Sequence, residues 1–215
     1  MFGLGGEDLS RSLLDCPGGA SDFAATVRSR GGRVVSVDPL YAAAPDVVAR
    51  ITVAQRDQGL GRVVGHLGGA GLAAADGLAA YVARRRRSAQ RFLADFVRDR
   101  TGSDTDYVAA ALPALPFADS TFEIGLVPNL LFSYADLFDR RWHRQSIHEL
   151  LRVCAQVRIH PVVEAPGRPY AELDLLRAEL AADGVVLRVV ASSDRRRHRV
   201  DGATLVCTRR GAAAA

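Results

Sequence analysis

The chain contains no lysine; all 28 of its basic residues are arginines. Against 24 acidic residues this leaves a net charge of +4, too mild to imply a nucleic-acid partner by itself. The arginine bias accompanies alanine, glycine and valine enrichment throughout and reads as a genome signature. Cysteine is scarce as well. Cys16, Cys154 and Cys207 lie far apart with no Cys-x-x-Cys pair. That argues against a zinc site or a disulfide framework and fits a reducing, cytoplasmic compartment. No histidine pair has a carboxylate at metal-ligand spacing, so no metal is expected. Long apolar runs are missing too. The longest low-charge stretch, "VVGHLGGAGLAAADGLAAYVA" (63–83), carries His66, Asp76 and five glycines, too polar for a membrane span. The opening "MFGLGGEDLSRS" lacks the basic and apolar regions of a signal peptide, and the closing "RRGAAAA" reads as a frayed tail.

What is present supports one domain over 1–215, since 48% of positions are hydrophobic. Strand-length apolar runs alternate with helical patterns, which predicts a doubly wound α/β fold with a mostly parallel sheet and helices on both faces. The strands are expected at 12–16, 33–38, 106–112, 122–127, 156–163, 185–192 and 203–210. Helices are expected at 20–30, 45–55, 137–153 and 170–182. The last helix places Leu173, Leu176 and Leu180 at helical spacing and stops at Gly184. "SDRRRHRVDG" is too short for a crossover helix, so the last two strands should form an antiparallel hairpin. Conversely, 39–105 is far more chain than one crossover needs, and 56–100 is expected as a helical cap or insert.

The stretch "SLLDCPGGASDFAATVRSRGGRVVSVDPLY" (12–41) reads as strand, glycine-containing loop, helix, strand and acid. The first strand ends at Asp15, and the loop Cys16 to Ser21 enters a helix. Loop amides at a helix N-terminus are unsatisfied donors, and small residues let a ligand approach the backbone. Asp38 ends the second strand 23 positions after Asp15, near the spacing at which a carboxylate accepts from a ribose diol. A glycine turn with a strand-end aspartate in any doubly wound protein is the structural alternative.

The order "LLDCPGGASDF", "VVSVDPLY", "LPFADSTFEIGLVPNLLF" and "HELLRVC" resembles the class I S-adenosylmethionine-dependent methyltransferases, over residues 13 to 154. The resemblance implies a Rossmann-like sheet ending in an antiparallel hairpin, with S-adenosylmethionine as cofactor. It implies that Asp15 lies near the methionine amino group and that Gly19 is the central loop glycine. It further implies that Asp38 binds the ribose with Pro39 beside the adenine, that Leu112 passes the adenine ring, and that Asn129 lines the methionine end and the acceptor. The chain departs from the pattern at Pro17, where the first glycine is expected, at Ser21, where the third is, and at Ala111, where an acid often contacts the adenine. Proline cannot serve a position that requires positive φ, so Gly18 and Gly19 must restore the turn. "ELLRVC" also runs into the next strand without the usual Pro-Gly-Gly turn.

Parallel strands deliver ligands at their carboxyl ends. The rim is therefore the loop 16–21, the residues after Asp38, the stretch 128–139 and the hairpin tip 193–199. Tyr41, Tyr134, Asp136 and His160 are the candidates for a general base there. His143, His148 and Trp142 read as packing or surface residues. "DPLY" (38–41) ends the second strand and so is not the Asp-Pro-Pro-Tyr signature of amino-directed nucleic-acid methyltransferases, which follows the fourth. The clusters "RRRRSAQR" (84–91) and "DRRRHR" (194–199) read as a solvated face and as a rim that steers an anionic acceptor. The expected function is methyl transfer to a small-molecule acceptor. The alternatives are an RNA methyltransferase gripping phosphates through the arginine clusters, and a non-catalytic binding protein of the same fold.

Overall fold

The structure, a computed structural model, describes residues 2–66, 72–102, 105–164, 168–191 and 203–211. Its strands are β1 (Ser12–Asp15), β2 (Arg33–Val37), β3 (Tyr107–Val108), β4 (Phe122–Pro128), β5 (Cys154–His160), β6 (Val163–Glu164), β7 (Arg168–Pro169), β8 (Val185–Ala191) and β9 (Ala203–Arg209). Seven form one sheet in the order β3-β2-β1-β4-β5-β9-β8, while β6 and β7 pair separately. From β3 to β5 every pairing is parallel; β9 runs antiparallel to both β5 and β8. This is the Rossmann-like doubly wound sheet with the C-terminal hairpin read from the short last connection. The direction of winding reverses between β1 and β4, where open parallel sheets leave a crevice.

Side chains alternate across the strands, so each strand feeds two cores. Leu14 and Val127 face α5 (Arg140–Val153) and α6 (Leu173–Ala182), packing with Ile147, Leu150, Leu176 and Leu180. Leu13, Ile124 and Leu126 face the other way. There they meet α2 (Phe23–Arg28), α3 (Pro45–His66) and α4 (Leu72–Thr101), with Val27, Val48, Phe92 and Phe96 buried. An N-terminal helix not foreseen from sequence, α1 (Gly6–Ser10), lies before β1, and Arg158 of β5 ties it down by pairing with Asp8 at 2.7 Å.

Several boundaries differ from the sequence reading. The strand expected at 106–112 shortens to two residues, because the chain turns through an Ala111–Ala114 bridge and Pro113 has no N–H for a ladder. The strand expected at 156–163 stops at His160 for the same reason, since Pro161 follows. Ala89, Phe92 and Phe96 are buried, so the end of α4 is the crossover helix that covers β2 and β3. The missing Pro-Gly-Gly turn has a simple counterpart: α5 ends at Val153 and β5 begins at Cys154.

The "ELLRVC" motif serves this frame. Glu149 accepts from the Leu115 N–H at 2.7 Å, while Arg152 donates to the Phe117 carbonyl and to Asp119, both at 2.8 Å. These bonds stitch the "LPFADS" segment to α5 and so fix where β4 starts. Asp139 caps α5 by accepting from the Trp142 N–H. His143 is a satisfied core histidine, with Nδ1 2.6 Å from the Asp139 carbonyl and Nε2 2.7 Å from the Leu131 carbonyl. Trp142 stacks on Phe138, and His148 meets Asp183 at 2.8 Å. Among the described residues no helix is long and apolar enough to cross a membrane.

Candidate functional site

The loop after β1 is held from three sides. The Cys16 N–H donates to the Leu126 carbonyl and the Gly18 N–H to the Val37 carbonyl, both at 2.9 Å, which seats the turn between β4 and β2. From below, the Tyr41 hydroxyl donates to the Gly19 carbonyl at 2.8 Å. From the side, the Asp38 carboxylate accepts from the Gly19 N–H and the Leu40 N–H, each at 2.9 Å. The Cys16–Pro17 peptide is cis. Glycine is required at the next two positions for different reasons. A Cβ on Gly18 would lie 2.5 Å from the Tyr41 hydroxyl, and Gly19 has φ +53°. Ser21 accepts from the Phe23 N–H at 3.2 Å, at the start of α2. Asp22 then ties the loop to α4, accepting from Ser88 at 2.7 Å and Arg91 at 2.8 Å.

Asp15 ends β1 beneath this loop, only 4% exposed. The Ser36 hydroxyl donates to the Asp15 carboxylate at 3.3 Å. Burial pushes its pKa up to about 7; the Ser36 bond opposes this and the neighbouring Asp38 charge adds to it. Among the described residues no cation pairs with it. Burial also raises the Asp38 pKa, against the two N–H donors that favour its charged form. The carboxylates therefore sit in unlike settings: Asp38 holds the loop, and Asp15 has acceptor capacity to spare.

Above Asp15 opens a cleft of about 960 Å³ at the crevice between β1 and β4. Of the residues singled out from sequence, Asp15, Pro17, Gly18, Gly19, Ser21, Asn129 and Tyr134 line it. Asn129 has φ +51° and donates its N–H to the His160 carbonyl at 2.8 Å. The other sequence candidates stand elsewhere. Asp38 and Pro39 lie behind the loop, Pro39 exposed at the start of a short 3-10 turn. Leu112 is buried in the α5-side core. Tyr41 is 1% exposed in a box with Phe92, Phe96 and Tyr107, its hydroxyl engaged by the loop and its pKa raised by burial. His160 is buried against Phe2 and within 3.2 Å of Thr204. Asp136 is exposed and outside the lining. The hairpin tip 193–199 lies outside the described residues.

The far wall was not anticipated as part of the site. Thr52, Gln55 and Arg56 of α3 and Arg85, Ser88 and Ala89 of α4 line it. The signal was helical spacing. Phe96, Phe92, Ala89 or Ser88, Arg85 and Tyr81 recur every three or four residues, so the stripe that packs on the sheet continues upward into the cleft.

Fold and site together define a doubly wound α/β protein with a ligand cleft at the point where the winding reverses. The chain is 26% identical over 183 residues to an uncharacterized protein of Methanocaldococcus jannaschii, covering 85% of this chain and 81% of that one. Solved structures similar in shape include a protein from Pyrococcus horikoshii, with TM-score 0.47, 12% identity and coverage of 93% of this chain and 82% of that one. They also include S-adenosylmethionine-dependent methyltransferases from Aquifex aeolicus and Methanosarcina mazei. The first has TM-score 0.41, 12% identity and coverage of 92% and 81%; the second has 0.42, 13%, and 94% and 93%. No protein-family model matches the chain.

Proposed function

We propose that the protein is an S-adenosylmethionine-dependent methyltransferase acting on a small-molecule acceptor. The observation that carries this reading is Asp15, a buried carboxylate on the floor of the β1–β4 cleft with which no cation among the described residues pairs. Such a group fits a ligand with an ammonium, which would stabilise the ionised form that burial alone disfavours. The small residues Gly18, Gly19 and Ser21 let a ligand lie against the backbone above it. The cofactor supplies an electrophilic methyl on a sulfonium when bound.

The chain's own residues account for placement. Asp15 and the loop Pro17–Ser21 hold the methionine end, and the Asp38 clamp keeps Gly19 in its left-handed turn. Asn129 and Tyr134 line the opposite side, where an acceptor would approach. Of the four candidate bases, Tyr134 is the one on the cleft wall, and at 47% exposure its hydroxyl is free to orient an acceptor. Arg56 of α3 and the part of α4 around Arg85 and Ser88 serve as the cap over that side. Part of the 84–91 arginine cluster is engaged within the chain, which favours a small acceptor over RNA: Arg91 is paired with Asp22, Arg85 lines the cleft and Arg84 lies over Tyr81.

Co-crystallisation with S-adenosylhomocysteine tests the reading. The expected complex has the ligand's amino group within hydrogen-bond reach of Asp15 and its chain lying along the loop Pro17–Ser21. A ligand bound elsewhere, or none in crystals of folded protein, would overturn it.

A further inference from the structure

The far wall of the cleft opens into a side pocket of about 140 Å³. Arg56 and Arg85 belong to both, and Tyr81, Val82, Arg86 and Asp57 complete the smaller one. Three arginines thus line a small space with one acid. That acid, Asp57, is taken by Arg56 at 2.8 Å. Among the described residues Arg85 and Arg86 have no ion pair, so the pocket carries excess positive charge. Tyr81 and Val82 give it an aromatic and apolar flank.

Helix geometry explains why only part of the "RRRR" run contributes. Arg85 lies four residues before Ala89 and seven before Phe92, on the inward stripe of α4. Arg87 lies two positions on, turned about 200° from that stripe, and lines neither cavity. All four arginines of the run are exposed, but the helix divides them into Arg85 and Arg86, which line the side pocket, and Arg84 and Arg87, which do not.

We propose that this side pocket is the seat for an anionic group of the acceptor, a carboxylate or phosphate carried at the end remote from the methyl-accepting atom. Arg85 and Arg86 bind the anion, and Arg56 borders both cavities and connects the seat to the cleft above Asp15. A planar guanidinium donates two parallel N–H bonds to either oxyanion. The seat deepens the methyl-transfer reading and rests on it for the word acceptor. The anion site itself is testable alone.

The test is calorimetric titration with inorganic phosphate at constant ionic strength, with and without S-adenosylhomocysteine, and with succinate as a second titrant to separate phosphate from carboxylate. The wild-type protein should bind one of the two saturably. Arg85→Gln should weaken that binding about tenfold or more, since a charge-assisted bond is lost. Arg85→Lys should recover only part of it, and Arg87→Gln should change it less than twofold. No saturable binding of either anion, or equal losses for Arg85→Gln and Arg87→Gln, would overturn the proposal. Anion binding in a protein that ignores S-adenosylhomocysteine would leave the seat standing and sink the methyltransferase reading instead.

Discussion

The two faces of the sheet are built from different materials. Beneath α5 and α6 the buried residues are mostly aliphatic, with Ile147, Leu150, Leu151, Leu176 and Leu180 against Leu14, Val127 and Val157, beside a ring cluster of Phe132, His143 and Tyr170. Beneath α2 and α4 the packing is aromatic and charged. Tyr41, Phe92, Phe96 and Tyr107 form a box with ring centroids 5.1 to 6.3 Å apart. At its edge Arg28 pairs with Asp95, whose carboxylate also accepts from the Tyr107 hydroxyl at 2.8 Å. The aliphatic face contributes non-directional burial, which holds strands together without aiming any group. The aromatic face carries polar handles, and one of them, the Tyr41 hydroxyl, holds the loop after β1 through the Gly19 carbonyl. One face therefore supports the fold, while the other also positions the site.

Substitutions on each face should separate the two roles. Leu150→Ala, at a position with no exposure, should cost about 2–5 kcal/mol of stability through lost transfer energy and a cavity. Chemical denaturation measures this. Calorimetry on the remaining folded protein should find affinity for S-adenosylhomocysteine unchanged. Tyr41→Phe should cost less, about 1 kcal/mol for one hydrogen bond plus the unsatisfied Gly19 carbonyl. It should nonetheless weaken cofactor affinity severalfold, because the loop loses its support. An equal effect on affinity from both substitutions would erase the distinction between the faces.

The fold was legible because apolar period and connection length carry it. The short link before β9 gave the hairpin, and the alternation of strand-length apolar runs with helical patterns gave a sheet covered on both sides. Boundaries failed where a proline cut a β-rich run, at Pro113 and Pro161. The site was half legible. Asp15 and the glycine turn could be read, because strand end and loop are contiguous in sequence. That Asp38 would spend both oxygens on Gly19 and Leu40 could not, since this depends on where the β2 end meets the loop in space. The same holds for Tyr41, which as an aromatic after a strand-end acid looks like a ligand contact but packs beneath the loop. The arginine wall was hidden because a run of four like residues masks the helical period that divides it.

The central claim is that Asp15 receives the amino group of S-adenosylmethionine, and one substitution tests it through two opposed effects. The folded-state pKa of Asp15 is raised to about 7, against roughly 4 for an exposed aspartate. Its contribution to stability is therefore present in full below about pH 4 and lost as pH rises through about 7. In Asp15→Asn that loss is absent, so above pH 7 the ligand-free variant should be more stable than wild type, by on the order of a few kcal/mol. Calorimetry with S-adenosylhomocysteine should show the reverse for binding. Wild-type affinity should rise from pH 6 to pH 8 as the carboxylate ionises, and Asp15→Asn should bind at least tenfold more weakly at pH 8 with little pH dependence. Equal affinity of the two proteins at pH 8 would contradict the account.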